Sequence, residues 1–393
     1  MNVILFDDPA IRIDLLPFTF TRPVSKIRVG ILTIDEKWEK WLNTSVSFQT
    51  EAYLQKKFPL RSANDNLLIN GALCPDMKLI MAIHALAPGQ FLVKDKTLLA
   101  ARKPEVEMNA INTIAYTEPI TLIDKTWKIF RENAAQIKSD FALVTTGRTS
   151  ASIHDKHTVV YNPQHVFVEE GVYVRSAILN AETGPIYLGK NSIVQEGAII
   201  RGSFALCEGA HVNMGAKIRG DVTVGPFSKV GGEISTAVLF GYSNKAHDGF
   251  LGCSVLGEWC NLGADTNTSN LKNNYDNVKL WSHATGHFEN TGLQFCGLMM
   301  GDHSKCSINL MFNTGTVVDV SANVFGEGFP RNYIPSFSWG GSGGYLTYRI
   351  DKALETASRV MARRNVVLDD VEKEILTHVY EQTVAHRNWE KKS

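Results

Sequence analysis

No pair of cysteines in the 393-residue sequence is spaced C-x-x-C, and the six present (Cys74, Cys207, Cys253, Cys260, Cys296, Cys306) show no zinc-site spacing. Scattered cysteines of this kind read as reduced thiols of a cytoplasmic protein. No apolar run approaches the roughly 18 residues needed to cross a bilayer. The apolar start Met1–Phe6 meets Asp7 and Asp8 too soon for a signal segment, so no membrane partner is expected. Net charge is lacking as well: Lys+Arg and Asp+Glu number 40 each. That balance argues against a nucleic-acid partner and against an acidic tail. Glycine is scarce at first, with four of the 31 in residues 1–150, then abundant, with 21 between 184 and 326. A chain of this length is expected to hold two or three domains.

What the glycine-rich part contains is a repeat. An aliphatic residue returns every six positions at Leu188, Val194, Ile200, Leu206, Val212, Ile218, Val224 and Val230. Two positions earlier the side chain is usually small, as at Ser192, Ala198, Ala210, Ala216 and Ser228. The period recurs at Phe250, Leu256 and Leu262, and again at Met300, Cys306, Phe312, Val318 and Val324, with Val168 and Val174 as an earlier start. A period of six is neither helical nor that of a half-buried strand. It fits a parallel β-helix with three short faces per 18-residue coil, aliphatic residues inward and small residues at the corners. Residues 231–249 and 265–292 break the pattern and are expected to leave the solenoid as loops on a functional face.

The flanks differ. Residues 1–155 alternate strand-like runs (Asn2 to Phe6, Leu67 to Ile69) with helical ones (Asp35 to Leu42, Leu122 to Lys138), which suggests an α/β domain with a mainly parallel sheet. The β-helix is assigned to residues 156–336. Residues 337–393 hold Gly340-Gly341-Ser342-Gly343-Gly344, a linker or sharp turn, and two expected helices, Asp351 to Arg364 and Leu368 to His386. These helices are expected to pack on the last coil or on a neighbouring subunit.

Within the solenoid, Ser243-Asn244-Lys245-Ala246-His247, Phe250-Leu251-Gly252, Asn261-Leu262-Gly263-Ala264-Asp265-Thr266 and Ser269-Asn270-Leu271-Lys272 follow one another. This series resembles the acetyltransferase part of the bifunctional family that joins N-acetylglucosamine-1-phosphate uridylyltransferase to glucosamine-1-phosphate N-acetyltransferase. Leu16-Pro17-Phe18-Thr19-Phe20-Thr21-Arg22-Pro23 is similar to a stretch of sugar nucleotidyltransferases, and the whole chain resembles shortened bacterial homologues of those enzymes. The resemblance implies a left-handed β-helix, a homotrimer, acetyl-CoA as cosubstrate and an amino-sugar phosphate as acceptor. It implies that His247 is catalytic, that Arg219, Asn261, Asn270, Lys279 and Lys245 bind substrate, and that Ala264 contacts the coenzyme.

A neutral imidazole suits the role of base near neutral pH, having an ordinary pKa of about 6.5. A guanidinium at Arg219 suits a sugar phosphate, which it can grip with two parallel hydrogen bonds. The N-terminal domain departs from its relatives. Asp7-Asp8-Pro9-Ala10-Ile11-Arg12 stands in place of a Gly-rich phosphate loop, and Asn70-Gly71-Ala72 in place of an N-G-D whose Asp binds magnesium, with Asp76 as a substitute. Mg2+ is expected only if this domain is active. The expected function is sugar-phosphate N-acetyl transfer with a degenerate nucleotidyltransferase domain. The alternatives are an active sugar-1-phosphate nucleotidyltransferase and a non-catalytic trimeric assembly protein. A zinc site at His211, His247 and His283, each 36 residues apart, is a further reading.

Overall fold

The computed structural model describes residues 2–102, 108–109 and 111–390. The N-terminal domain is built on a six-stranded sheet in the order Val46–Gln49, Asn2–Phe6, Asn66–Asn70, Thr97–Arg102, Phe91–Lys94, Thr113–Ala115. The first three strands are parallel, and Thr97–Arg102 runs antiparallel to both its neighbours. The sheet is therefore mixed. A two-residue turn with Asp95 at φ 53° reverses the chain there, where a parallel pairing would have needed a crossover. Helix Ile34–Leu42 opens on a capping box, Thr33 with Glu36, and its Trp38 is buried under the sheet.

Strands then stack in parallel on three faces of a solenoid, and the fold is the expected left-handed β-helix type. The first face runs through Val166–Val168, Ile186–Leu188, Phe204–Leu206 and Val222–Val224. The second carries Tyr173–Val174, Ile193–Val194, His211–Val212, Lys229–Val230 and Asn244–Lys245 in register. The third carries Val159–Tyr161, Ile178–Asn180, Ile199–Arg201 and Lys217–Ile218. Leu188, Val194, Ile200, Leu206, Val212, Ile218, Val224 and Val230 all point inward and are buried, with Ala198, Ala210 and Ala216 at the tight corners.

Of the two breaks in the repeat, the first differs from expectation. Residues 231–249 stay in the coil: strand Glu233–Gly241 spans two faces, and Val230 pairs with Lys245 only fifteen residues on. The coil is shortened rather than looped out. The shift also moves the inward position by one, so that Leu251 is buried and Phe250 is not. The second break does leave the solenoid, as a hairpin of Lys279–Ser282 with His287–Asn290.

One corner holds the left-handed conformation coil after coil, with Asn191, Phe227, Tyr242, Trp259, His303, Ser321 and Phe337 at φ of 54 to 61°. Aromatic residues rarely adopt this geometry. Here ring stacking supports them: Phe227 on Tyr242 at 5.2 Å, Tyr242 on Trp259 at 4.1 Å, Trp259 on His303 at 6.3 Å. The C-terminal helices cover this ladder. Ile350–Ala362 buries Ala353, Ala357 and Met361 against Trp259, Val320 and Phe337, and Asp370–Gln382 joins the same cluster through Leu376 and Val379. Asp370–Gln382 also reaches back to the N-terminal domain, stacking His378 on Tyr53 at 4.0 Å. The glycine-rich stretch before them is a tight hairpin of Ser338–Gly341 with Gly344–Thr347.

The N-terminal domain and the solenoid share one core, in which Leu5, Phe18 and Ile129 meet Val238, Phe240, Val255 and Met299. Buried Arg22 pairs with Asp302, which also accepts from Thr21 Oγ1 at 2.6 Å. Arg28 Nε donates to the Phe240 carbonyl at 3.1 Å.

Candidate functional site

Two crevices have the makings of a site. At the carboxyl end of strand Asn2–Phe6, where a phosphate loop would lie, the space is filled by side chains. The Arg12 guanidinium donates to Asp7 Oδ2 at 2.9 Å, to the carbonyls of Thr19 at 2.5 Å and Arg22 at 3.1 Å, and to Tyr53 Oη at 3.1 Å. Asp7 accepts in addition from Thr50 Oγ1 at 2.5 Å and from the Val24 amide at 2.8 Å. Asn70 is buried, its side chain engaged by the Leu98 carbonyl and the Ala72 amide. Asp76 caps helix Met77–His84 through the Leu79 amide at 2.9 Å.

The second crevice lies on the solenoid. A cleft of about 700 Å3 opens between the second face and the C-terminal end of helix Ile350–Ala362. His247 stands at its edge, on the corner between strand Asn244–Lys245 and strand Phe250–Glu258. Its ring is exposed and, among the described residues, has no hydrogen-bond partner. Asn261, Gly263 and Ala264 line the same cleft. Four cations complete it: Lys229, Lys305, Arg363 and Arg364. Among the described residues no carboxylate pairs with any of the four. The crowding of like charge is felt. Burial, with Arg364 and Arg363 nearby, lowers the Lys229 pKa. Burial takes Lys305 down to about 8, and Arg364 is lowered by burial and by Arg363. Arg364 Nη2 donates to Asn244 Oδ1 at 3.2 Å, and Asn244 lies 3.4 Å from Asn261.

His247, Asn261 and Ala264 are thus brought together, and the other predicted residues are not. Lys245 is corrected outright. It occupies the inward position paired with Val230, is 1% exposed, and donates to the carbonyls of Gly231, His247 and Asp248. Its ammonium holds the shortened coil and does not reach the cleft. Arg219 lies on the third face, ion-paired with Glu233 at 3.1 Å and largely exposed. Asn270 lies beyond the same face, its Nδ2 3.5 Å from Cys253 Sγ. Lys279 belongs to the inserted hairpin and lines a different cavity. The three histidines do not stack either: His283 is buried in the hairpin with Nε2 3.0 Å from Asp319, because the insertion breaks the 18-residue register. Asp265 sits at φ 57°, a corner taken by Gly197 and Gly215 on earlier coils. Sequence reasoning missed Lys229, Asn244, Lys305, Arg363 and Arg364. The first three each precede an inward residue in the ladder His211, Lys229, Asn244, Asn261, Lys305. A polar residue one place before the hexad position was the available signal.

Residues 3–149 match the family described as sugar nucleotidyl transferase. That match spans the N-terminal domain. A 108-residue stretch, 27% of this chain, is 34% identical to the bifunctional protein GlmU of Trichodesmium erythraeum (strain IMS101). That stretch spans 22% of the relative's length.

Within the N-terminal domain the acidic groups do not fit a magnesium ion. Asp7 already accepts three hydrogen bonds, and Asp76 is engaged as a helix cap. A nucleoside triphosphate would have to displace the Arg12 network to reach the backbone below it. The chain therefore joins an N-terminal domain whose crevice is filled by side chains to a parallel β-helix with an open cleft.

Proposed function

We propose that this protein is a coenzyme A-dependent sugar-phosphate N-acyltransferase of the cytoplasm, with its chemistry in the solenoid cleft. The observation that carries the reading is the His247 ring at a cleft with four cations, none of the five having a side-chain ion-pair partner among the described residues. An unneutralised cationic cleft favours a polyanion, and the phosphates of acetyl-CoA are one. His247 takes the proton of the acceptor amine as its nitrogen attacks the thioester carbonyl. The N–C bond forms, the C–S bond breaks, and the proton passes to the departing thiolate. Backbone N–H groups near Gly263 and Ala264 stabilise the oxyanion. The acceptor approaches from the third face, where Arg219 and Asn270 lie on the other side of the His247 corner. A glucosamine-phosphate acceptor is consistent with the GlmU likeness.

The protein works as a homotrimer. This is supported by an exposed apolar row on the third face, Val159, Ile178 and Ile199, which are direct neighbours in register and about two-fifths exposed. The test is thiol release from acetyl-CoA in the presence of glucosamine-1-phosphate. His247→Ala is expected to lower kcat by about 10²- to 10⁴-fold with an unchanged melting temperature. Turnover equal to wild type would remove His247 from the mechanism.

A further inference from the structure

Lys279, which the cleft does not use, opens onto a second cavity of about 890 Å3 between the inserted hairpin, the last coils and the chain's C-terminal segment. Its walls are aromatic. Trp281 stacks on Tyr333 at 4.2 Å and 9°, and Tyr345 meets Trp389 at 5.6 Å. Tyr333 is fixed from beneath: its hydroxyl donates to Asp319 Oδ2 at 3.0 Å, and His283 holds the other carboxylate oxygen at 3.0 Å. Asp319 is fully buried, so this support is internal and the aromatic floor is rigid. The Trp281 Nε1 donor is buried beside the Tyr333 side chain, which keeps the indole in place.

The charged lining is of one sign. Lys279 and Arg331 lie at the cavity with no ion-pair partner among the described residues, and no Asp or Glu lines it. Aromatic rings lining a cavity select a planar group that stacks, and flexible cations beside them select phosphate. A neutral sugar would use the rings but leave the cations idle. Inorganic phosphate would use the cations but leave the rings unused. The volume lies within the range of small-ligand sites.

We infer that this cavity is a nucleotide site, taking a nucleoside 5′-diphosphate with its base against the Trp281–Tyr333 and Tyr345–Trp389 rings and its phosphates at Lys279 and Arg331. The site is separate from the closed crevice of the N-terminal domain and from the His247 cleft. It stands whether or not the protein transfers acyl groups.

Titration calorimetry of the full chain with UDP, with ADP and with pyrophosphate tests this. Saturable one-to-one binding of a nucleoside diphosphate is expected, at least about tenfold tighter than pyrophosphate. Lys279→Ala/Arg331→Ala is expected to weaken it about tenfold or more, with an unchanged melting temperature, and Arg364→Ala in the other cleft to leave it unchanged. Trp389→Ala is expected to weaken nucleotide binding while leaving pyrophosphate binding as it was. Absence of binding at millimolar nucleotide would overturn the inference. So would binding lost in Arg364→Ala and retained in Lys279→Ala/Arg331→Ala.

Discussion

His303 lies buried under Trp259, with its Nδ1 unpartnered among the described residues, and burial pushes its imidazole down to about 3. The unfolded chain, with an ordinary imidazole near 6.5, binds a proton that the folded chain refuses over the interval between these values. Its contribution to stability is therefore complete above pH 6.5 and is lost as pH falls toward 3. His303→Phe keeps an aromatic ring in a corner that already accepts Phe227 and Phe337. The variant is expected to gain stability relative to wild type as pH falls below 6.5, measured by chemical denaturation at a series of pH values. A difference that does not change with pH would contradict this account. Lys245 is the residue at which sequence reasoning failed. It stands in a functional-looking run beside His247, yet its hexad position is that of Val230. The coil was shortened by three residues, so the count of six no longer showed which side chain turned inward.

At the scale of elements, helix Ile350–Ala362 is more than a cap on the solenoid. It packs Ala353, Ala357 and Met361 on the aromatic ladder and thereby delivers Arg363 and Arg364 to the cleft. Removing both guanidinium groups as Arg363→Ala/Arg364→Ala is expected to raise KM for acetyl-CoA about tenfold or more while kcat holds, as steady-state kinetics would show. A fall in kcat with KM unchanged would place these residues elsewhere in the reaction. Both C-terminal helices were legible from composition, because the interruption at Val366 and Val367 separates two stretches of helix formers. Their destination was not. The contacts of Tyr53 with His378 and of Lys57 with Glu372 join residues more than 300 apart, and no local pattern encodes them. The solenoid was the most legible part, since each coil repeats the same packing. The inserted hairpin obeys no repeat, and its Lys279 and Trp281 found their cavity only once the fold was known.

For the whole molecule, the decisive arrangement is the seating of the N-terminal domain on the solenoid. Arg22 belongs to the segment that resembles the nucleotidyltransferase stretch, and it reaches across to Asp302, with Glu258 at 3.5 Å. Both charges of the Arg22–Asp302 pair are buried, and breaking such a pair leaves an uncompensated charge. The stretch that resembles sugar nucleotidyltransferases thus holds two domains together. Missing glycines in the sequence already argued against a phosphate loop, but the Arg12 network that fills the crevice draws on Thr19, Thr50 and Tyr53, which no spacing rule links. The central claim is that transfer chemistry resides in the solenoid and not in the N-terminal domain. The most direct measurement follows thiol and pyrophosphate release from the same enzyme preparation, with acetyl-CoA plus glucosamine-1-phosphate in one reaction and UTP plus N-acetylglucosamine-1-phosphate with magnesium in the other. Thiol release without pyrophosphate is the predicted result; pyrophosphate release without thiol would contradict the claim.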